Sequence, residues 1–195
     1  MSVLSAIVVL FLVIDPLGNI PLFVCALSTV DRRLHRRIIV RELLIALAIL
    51  VMFLFAGNHI LTLLGVSRSS LGIAGGIILL MIATKMVFLG SEMVFENAAS
   101  GSPLVVPLAV PLVAGPSAIT TVILLVSREP SRRPEWLLAL FCAWLAAGIV
   151  LMFSGRLSML LGNRGLKAIE RLMGMTLATV AVEMFVTGIR QSFFN

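Results

Sequence analysis

The sequence has few charged residues and few of the side chains that build metal or nucleophilic sites. Charged residues make up 12% of the 195 positions, whereas about a quarter are charged in a typical soluble domain. The two cysteines and two histidines match no metal-ligand or nucleophile–base spacing. No stretch resembles a nucleotide-binding loop. We therefore expect no metal, no cofactor and no enzymatic activity.

Apolar side chains dominate the chain instead. They account for 60% of the residues, the mean hydropathy is +1.15, and they occur in long runs. A soluble core could not cover so much apolar surface, so we expect an integral membrane protein whose main partner is the lipid bilayer. The net charge of +6 comes without a basic patch interleaved with aromatics, which argues against nucleic acid as a partner.

The apolar runs predict an all-α polytopic protein with six transmembrane helices in a single domain over residues 1–195. A transmembrane helix needs about 20 apolar residues. We expect segment 155–167 to lie at the membrane interface, and 31–41 to be an arginine-rich loop. The predicted spans are 2–30, 43–64, 70–89, 104–127, 136–154 and 171–190.

The distribution of Lys and Arg predicts the orientation. The loops after the first and fifth spans carry nine cationic residues, against five on the other side. Cytoplasmic loops are enriched in Lys and Arg, so we expect both termini outside the cytoplasm.

The two halves of the chain resemble each other at a nearly constant shift. With three spans each, residues 1–90 and 104–195 would enter the membrane in opposite directions, as inverted-topology repeats. Such repeats are a recurring plan of secondary transporters, which hold substrate where the repeats meet. The matching segments are Phe55–Gly57 with Phe153–Gly155, Gly76 with Gly174, and Asp15-Pro16 with Gly115-Pro116.

Prolines and glycines interrupt the first and fourth spans at corresponding places. Proline and glycine weaken a helix, and we expect helices 1 and 4 to be unwound there, over residues 15–21 and around 107–117. Paired interruptions of this kind are the best sequence indication of a transporter's substrate site. The candidate substrate-binding residues are Asp15, Pro16, Gly18, Asn19, Pro21, Pro111, Gly115, Pro116 and Ser117.

These two breaks have complementary chemistry. A half-helix that starts at Pro116 would direct free amides and a positive dipole end at a carboxylate. Asp15 would suit an ammonium group or a coupling cation, H⁺ or Na⁺. Together they match a small zwitterion, that is, an amino acid. The alternative for Asp15 is that it only caps the half-helix that follows.

Lys85 and Glu183 occupy equivalent positions in the two repeats and have opposite charges. Lys85 lies near the end of its span, where a lysine reaches the headgroups. Glu183 lies deeper, and the alternatives for it are a role in proton coupling or an ion pair with Lys85 or Arg190.

The stretches Asp15–Pro21 and Pro107–Pro116 resemble the two signature segments of the MarC family of bacterial inner-membrane proteins. Val40–Leu47 and Glu170–Gly174 resemble its YhgN-type members. The resemblance covers essentially the whole chain. It implies six spans in the inner membrane and kinship with proteins classed in part as neutral amino-acid transporters. In an inner membrane, the distribution of Lys and Arg predicts periplasmic termini.

These features predict a secondary transporter that exports or exchanges alanine, glycine or serine by alternating access around the two breaks. Two alternatives stay open: a broad drug or metabolite exporter, and a membrane factor that does not transport. The sequence leaves a homo-oligomer open as well.

Overall fold

The structure is a computed structural model that describes residues 1–27, 31–88 and 113–193. Across these ranges the regular secondary structure is helical. A 3₁₀ turn at Pro130–Arg132 separates α5 from α6. The helices are α1 (Val3–Ile14), α2 (Pro16–Leu27), α3 (Arg32–Leu63), α4 (Arg68–Phe88), α5 (Pro116–Arg128), α6 (Arg133–Met152) and α7 (Ser154–Phe193).

Most of the predicted spans are present as long apolar helical segments. The segments with the length and hydropathy to cross a membrane are Val3–Ile20, Arg33–Leu63, Ser69–Phe88, Pro130–Arg156 and Lys167–Ser192. The fourth predicted span is represented by the shorter α5, and its residues 104–112 lie outside the described residues. The expectation of an all-helical polytopic membrane protein is therefore confirmed.

Large apolar side chains cover the outside of the bundle, as lipid contact requires. Leu4 and Leu12 on α1 are 71% and 66% exposed, and Phe88 on α4 is 80% exposed. The interior is built largely from alanine, leucine and isoleucine. Trp144 on α6 ties this helix to α3, because its indole Nε1–H donates to the Leu43 carbonyl at 2.7 Å.

Helices α4 and α7 form the most extensive contact between two helices, and they run antiparallel. Near one end Gly188 lies against Ile73, in the middle Gly76 lies against Phe185, and near the other end Gly174 lies against Val87. Each contact is close enough to require a glycine, since small residues let transmembrane backbones approach.

Both termini lie on the same face of the bundle. The Met1 ammonium is 3.0 Å from Glu129, at the end of α5. Asn58, near the end of α3, donates to Ser127 at 3.1 Å, so α3 also ends on this face. Because α4 starts there and α7 is antiparallel to α4, α7 ends there too.

Two segments predicted as loops are helical. Residues 32–41 form the first turns of α3, where Asp31 caps the helix by accepting the Arg33 N–H at 3.0 Å. Residues 155–167 belong to α7, which runs without interruption for 40 residues. The expectation of loops was wrong because neither charge nor isolated glycines stop a helix, and neither segment contains proline. The position of 155–167 at the membrane interface stays a prediction.

Candidate functional site

The first break is confined to one residue. Asp15 has φ 47° and ψ 61°, the left-handed conformation, and separates α1 from α2. Residues 16–21, which we expected to be unwound, form the first turns of α2. Pro16 lies at the first helical position, where its missing N–H costs nothing and its fixed φ suits a helix. The break is thus narrower than the sequence predicted.

Asp15 also caps the helix that it starts. Its Oδ1 accepts the backbone N–H of Gly18 at 3.0 Å, which satisfies one of the amides left free at a helix N-terminus. The carboxylate lies directly over Gly18, so a side chain at position 18 would collide with it. The capping role left open by the sequence is therefore present. It still leaves the second carboxylate oxygen for another partner.

Asn19 stabilises the same break on the side of α1. Its side chain is 5% exposed, and its Nδ2 donates to the Ile14 carbonyl at 2.9 Å. That carbonyl is among those that the end of α1 leaves without a helical partner. Asn19 thus stabilises the interruption by satisfying a backbone carbonyl at a buried position.

The second break begins the half-helix α5. Val113, Ala114 and Gly115 are buried, and Gly115 has an extended backbone with φ −69° and ψ 166°. Pro116 occupies the first turn, as at the first break. Gly115 supplies no side-chain cap, so the amides at the start of α5 lack the partner that Asp15 gives to α2. A helix begins at Pro116, as predicted; the part of the fourth predicted span before it, residues 104–112, lies outside the described residues.

The start of α5 also contains a buried hydroxyl that sequence reasoning missed. Thr120 Oγ1 is inaccessible to solvent and finds no hydrogen-bond partner within the described ranges. One turn earlier, Pro116 lies against Gly75 of α4 so closely that any larger residue at 75 would collide with it. A polar residue four positions after Pro116 was the available signal, but its burial could not be predicted from sequence.

The two breaks lie at the same depth in the bundle. Helices α1 and α5 contact each other, have 12 and 13 residues, and each spans about 18–20 Å. Their outer ends are joined by the contact between Met1 and Glu129. The chain runs inward along α1 from this contact to Asp15, and outward along α5 from Gly115 to the same contact. Because the two helices have nearly equal lengths, Asp15 and Gly115 lie at the same depth.

A network of charges holds these outer ends together. We name it the end cluster: Met1, Glu129, Arg132 and Glu135. Glu129 accepts from the Met1 ammonium at 3.0 Å and from Arg132 Nη1 at 2.6 Å. Arg132 also donates to Glu135 and to the Met1 carbonyl. Hydrogen bonds from Arg132 and then from the Met1 ammonium lower the pKa of Glu129.

The remaining predicted site residues are less closely associated with the breaks. Ser117 is half-buried and its carbonyl accepts from Thr121, while Pro21 lies in α2 and Pro111 lies outside the described residues. Lys85 and Glu183 are both exposed, and the ion pairs among the described residues do not include one between them.

Comparison with known proteins decides the family. The sequence model described as "MarC family integral membrane protein" matches residues 1–193. The chain belongs to the MarC family. The resemblance read from the two signature segments is thereby confirmed.

Several relatives in the MarC family match along nearly their whole length. The UPF0056 inner membrane protein YhgN of Escherichia coli (strain K12) is 43% identical over 97% of this chain and 96% of that protein. A UPF0056 membrane protein of Buchnera aphidicola subsp. Schizaphis graminum is 40% identical over 100% and 99%. A Chlamydia pneumoniae relative is 32% identical over 94% and 91%.

Membership and the apolar helices together identify a multi-pass protein of the inner membrane. No solved structure matches the chain.

Proposed function

We propose that the protein is a secondary transporter for small neutral amino acids, with the substrate site between the breaks at Asp15 and Gly115. The observation that carries this proposal is the equal depth of the two breaks, about 20 Å from the end cluster. Irregular backbone is tolerated inside a membrane only against protein or a water-filled cavity. Paired interruptions at one depth are a typical substrate site of transporters.

The groups at the breaks suit the two ends of a zwitterion. The amides that begin α5 have no cap from Gly115, so they are available to a carboxylate. Asp15 uses one oxygen to cap α2 and keeps a second for an ammonium group. Thr120 adds a buried hydroxyl near the α5 amides. Alanines 114 and 118, both buried, leave room only for a small side chain.

The contact between α4 and α7 supports inverted repeats as the framework of transport. A methyl group on Gly76 would lie 2.9 Å from the Phe185 amide nitrogen, and one on Gly174 would lie 3.4 Å from that of Val87. A shift of 98 residues converts Gly76 into Gly174 and Val87 into Phe185. The contact of Gly76 with Phe185 is therefore equivalent to the contact of Gly174 with Val87. Antiparallel packing of this kind is what a two-fold axis in the membrane plane produces.

In this proposal the two repeats, 1–90 and 104–195, rock against each other to expose the site alternately to each side of the membrane. Transport uses no nucleotide and is either passive or coupled to H⁺ or Na⁺, with Lys85 and Glu183 as candidate coupling residues. The arginine-rich start of α3 supports an orientation in which both termini are periplasmic.

A binding experiment tests the site. Purified protein in lipid nanodiscs is titrated with radiolabelled alanine and competed with glycine, serine, propionate and ethylamine. We expect glycine and serine to compete, and propionate and ethylamine to fail, because each of the latter lacks one of the two charged groups. Failure of folded protein to bind alanine, or equal competition by propionate, would contradict the proposal.

A further inference from the structure

A small cavity lies between α3, α5 and the start of α6, near the face of the bundle that carries both termini. We call this face the outer face. The cavity has a volume of about 60 Å³, which is room for several water molecules. Its rim is polar and exposed, and its floor is apolar. The rim residues are Asn58, His59 and Arg133, and the floor residues are Phe53, Leu54 and Ile123.

The floor of the cavity is a tight contact between α3 and α5. Ile123 of α5 is 1% exposed and lies against Gly57 of α3. A methyl group on Gly57 would be 2.6 Å from Ile123 Cγ1, so the isoleucine fits there because position 57 has no side chain. At 1.5 Å per residue, Ile123 is about 12 Å along α5 from the break at Gly115. The cavity therefore ends well short of the breaks.

Apolar packing continues from this floor towards the breaks. Leu50 on α3 and Ile119 and Val122 on α5 are buried in the same hydrophobic core. Two helices that pack through such side chains leave no path for a zwitterion, because its charges would lose their hydration. Within the described ranges, the contact between α3 and α5 thus closes the outer side of the breaks.

A polar contact holds the same two helices together at the rim. Asn58 Nδ2 donates to Ser127 Oγ at 3.1 Å, and the Ser127 hydroxyl donates to the Ile123 carbonyl at 2.7 Å. The bond between Asn58 and Ser127 is exposed, and a hydrogen bond that exchanges with water contributes only about 0.5–1.5 kcal/mol. It positions α5 against α3 but breaks at little cost.

These contacts join the two predicted repeats, since α3 belongs to residues 1–90 and α5 to residues 104–195. We propose that they form the outer gate of the transport path, with Ile123 against Gly57 as the plug and Asn58 with Ser127 as the latch. This inference rests on the proposed function. The described structure is the form in which the gate is closed. When the outer end of α3 moves away from α5, the latch opens, Ile123 leaves Gly57, and the cavity extends to the breaks.

Thiol labelling tests whether the gate closes the outer side. Cys25 and Cys142 are replaced by alanine, and single cysteines are introduced as His59→Cys at the rim and Ser117→Cys at the second break. A membrane-impermeant thiol reagent is applied to oriented vesicles on the side from which His59→Cys reacts. We expect Ser117→Cys to react at least about tenfold more slowly than His59→Cys. Equal rates from that side would overturn the proposal.

Two variants that weaken the gate show whether the slow reaction is due to it. Ile123→Ala removes the plug, and Asn58→Ala removes the latch at an exposed position that folding tolerates. We expect each to accelerate the labelling of Ser117→Cys, by about tenfold for Ile123→Ala. Leu140→Ala is the matched control, because Leu140 is fully buried in the same core but lies on α6 outside the cavity. Unchanged rates in both gate variants, or equal acceleration by Leu140→Ala, would overturn the proposal.

A reversible lock tests whether the gate moves during transport. Asn58→Cys with Ser127→Cys places two thiols at the latch, and the mercuric ion bridges them. We expect bridging to abolish alanine counterflow, excess dithiothreitol to restore it, and each single-cysteine variant to keep counterflow in the presence of the ion. Undiminished counterflow by the bridged protein would overturn the proposal. Absence of counterflow before treatment would contradict the proposed function instead, whereas the labelling rates decide the closure without any substrate.

Discussion

The backbone of α7 at Phe185 lies so close to Gly76 of α4 that a methyl group on Gly76 would be 2.9 Å from the Phe185 amide nitrogen. It would also be 2.7 Å from the carbonyl oxygen of Ala181. Both atoms belong to a helical backbone and cannot move independently of it. Helices α4 and α7 are therefore held together by direct backbone contact, which only glycine permits.

Replacing Gly76 by alanine should separate α4 from α7. Overpacking of this kind costs about 1–3 kcal/mol, and we expect a lower midpoint of thermal unfolding in detergent micelles. Gly155→Ala is the matched control, because nothing lies within 4 Å of a methyl group there. Its effect should stay within about 1 kcal/mol. Equal destabilisation by the two variants would show that the close contact is absent.

The helix-capping role of Asp15 and the role of its charge can be tested separately. Asn is as good an N-cap as Asp and tolerates the left-handed conformation, so Asp15→Asn should keep the thermal stability of the wild type. Asp15→Ala should lose the cap at about 0.5–2 kcal/mol. If the charge binds the substrate ammonium, both variants should lose alanine binding.

The control for Asp15 is a second capping aspartate. Asp31 caps α3 through the Arg33 N–H on the exposed surface, and Asp31→Asn should leave alanine binding unchanged. Undiminished alanine binding by Asp15→Asn would show that Asp15 acts only as a helix cap.

Thr120 offers a test in which stability and function change in different ways. Its buried hydroxyl makes no hydrogen bond in the described structure, so Thr120→Val breaks none and should leave the unfolding midpoint equal or higher. If the hydroxyl binds substrate, alanine affinity should fall about three- to tenfold. Thr121→Val is the comparison, because that hydroxyl donates to the Ser117 carbonyl. A stability loss without an affinity loss at Thr120 would contradict this role.

The end cluster predicts a pH dependence of stability. Since Arg132 lowers the pKa of Glu129 in the folded protein, this pair stabilises the fold above the ordinary glutamate pKa of 4.5. That contribution is lost as the pH falls through the lowered value. Glu129 is 35% exposed, so the effect is small.

Unfolding midpoints from pH 7 to pH 3 check this prediction. The difference between wild type and Glu129→Gln should shrink towards acid pH. A constant difference would show that the Glu129 charge does not contribute to stability, and a difference that grows as the pH falls would reverse the sign of the interaction.

The sequence was informative where proline and glycine determine the backbone. Asp15-Pro16 and Gly115-Pro116 were expected to interrupt helices. Asp15 does separate two helices, and a helix begins at Pro116, with residues 104–112 before it outside the described residues. The extent of the first interruption was overestimated, because prolines in the first turn of a helix are tolerated. The capping bond from Asp15 to Gly18 is what restores the helix so soon.

Features that depend on helix packing could not be predicted from the sequence. Gly76 and Gly174 were predicted to be equivalent positions, but their contacts with Phe185 and Val87 depend on how α4 and α7 cross. The burial of Thr120 and the exposure of Glu183 are likewise properties of helix orientation, which hydropathy alone does not determine in a chain that is apolar on all sides.

The most direct test of the proposed function is alanine counterflow in proteoliposomes. Vesicles preloaded with unlabelled alanine are diluted into a trace of radiolabelled alanine, with wild type, Asp15→Asn and Asp31→Asn in parallel. The proposal predicts transient accumulation of label by wild type and Asp31→Asn and none by Asp15→Asn. Absence of counterflow from folded wild-type protein, or undiminished counterflow by Asp15→Asn, would contradict a substrate site at the paired breaks.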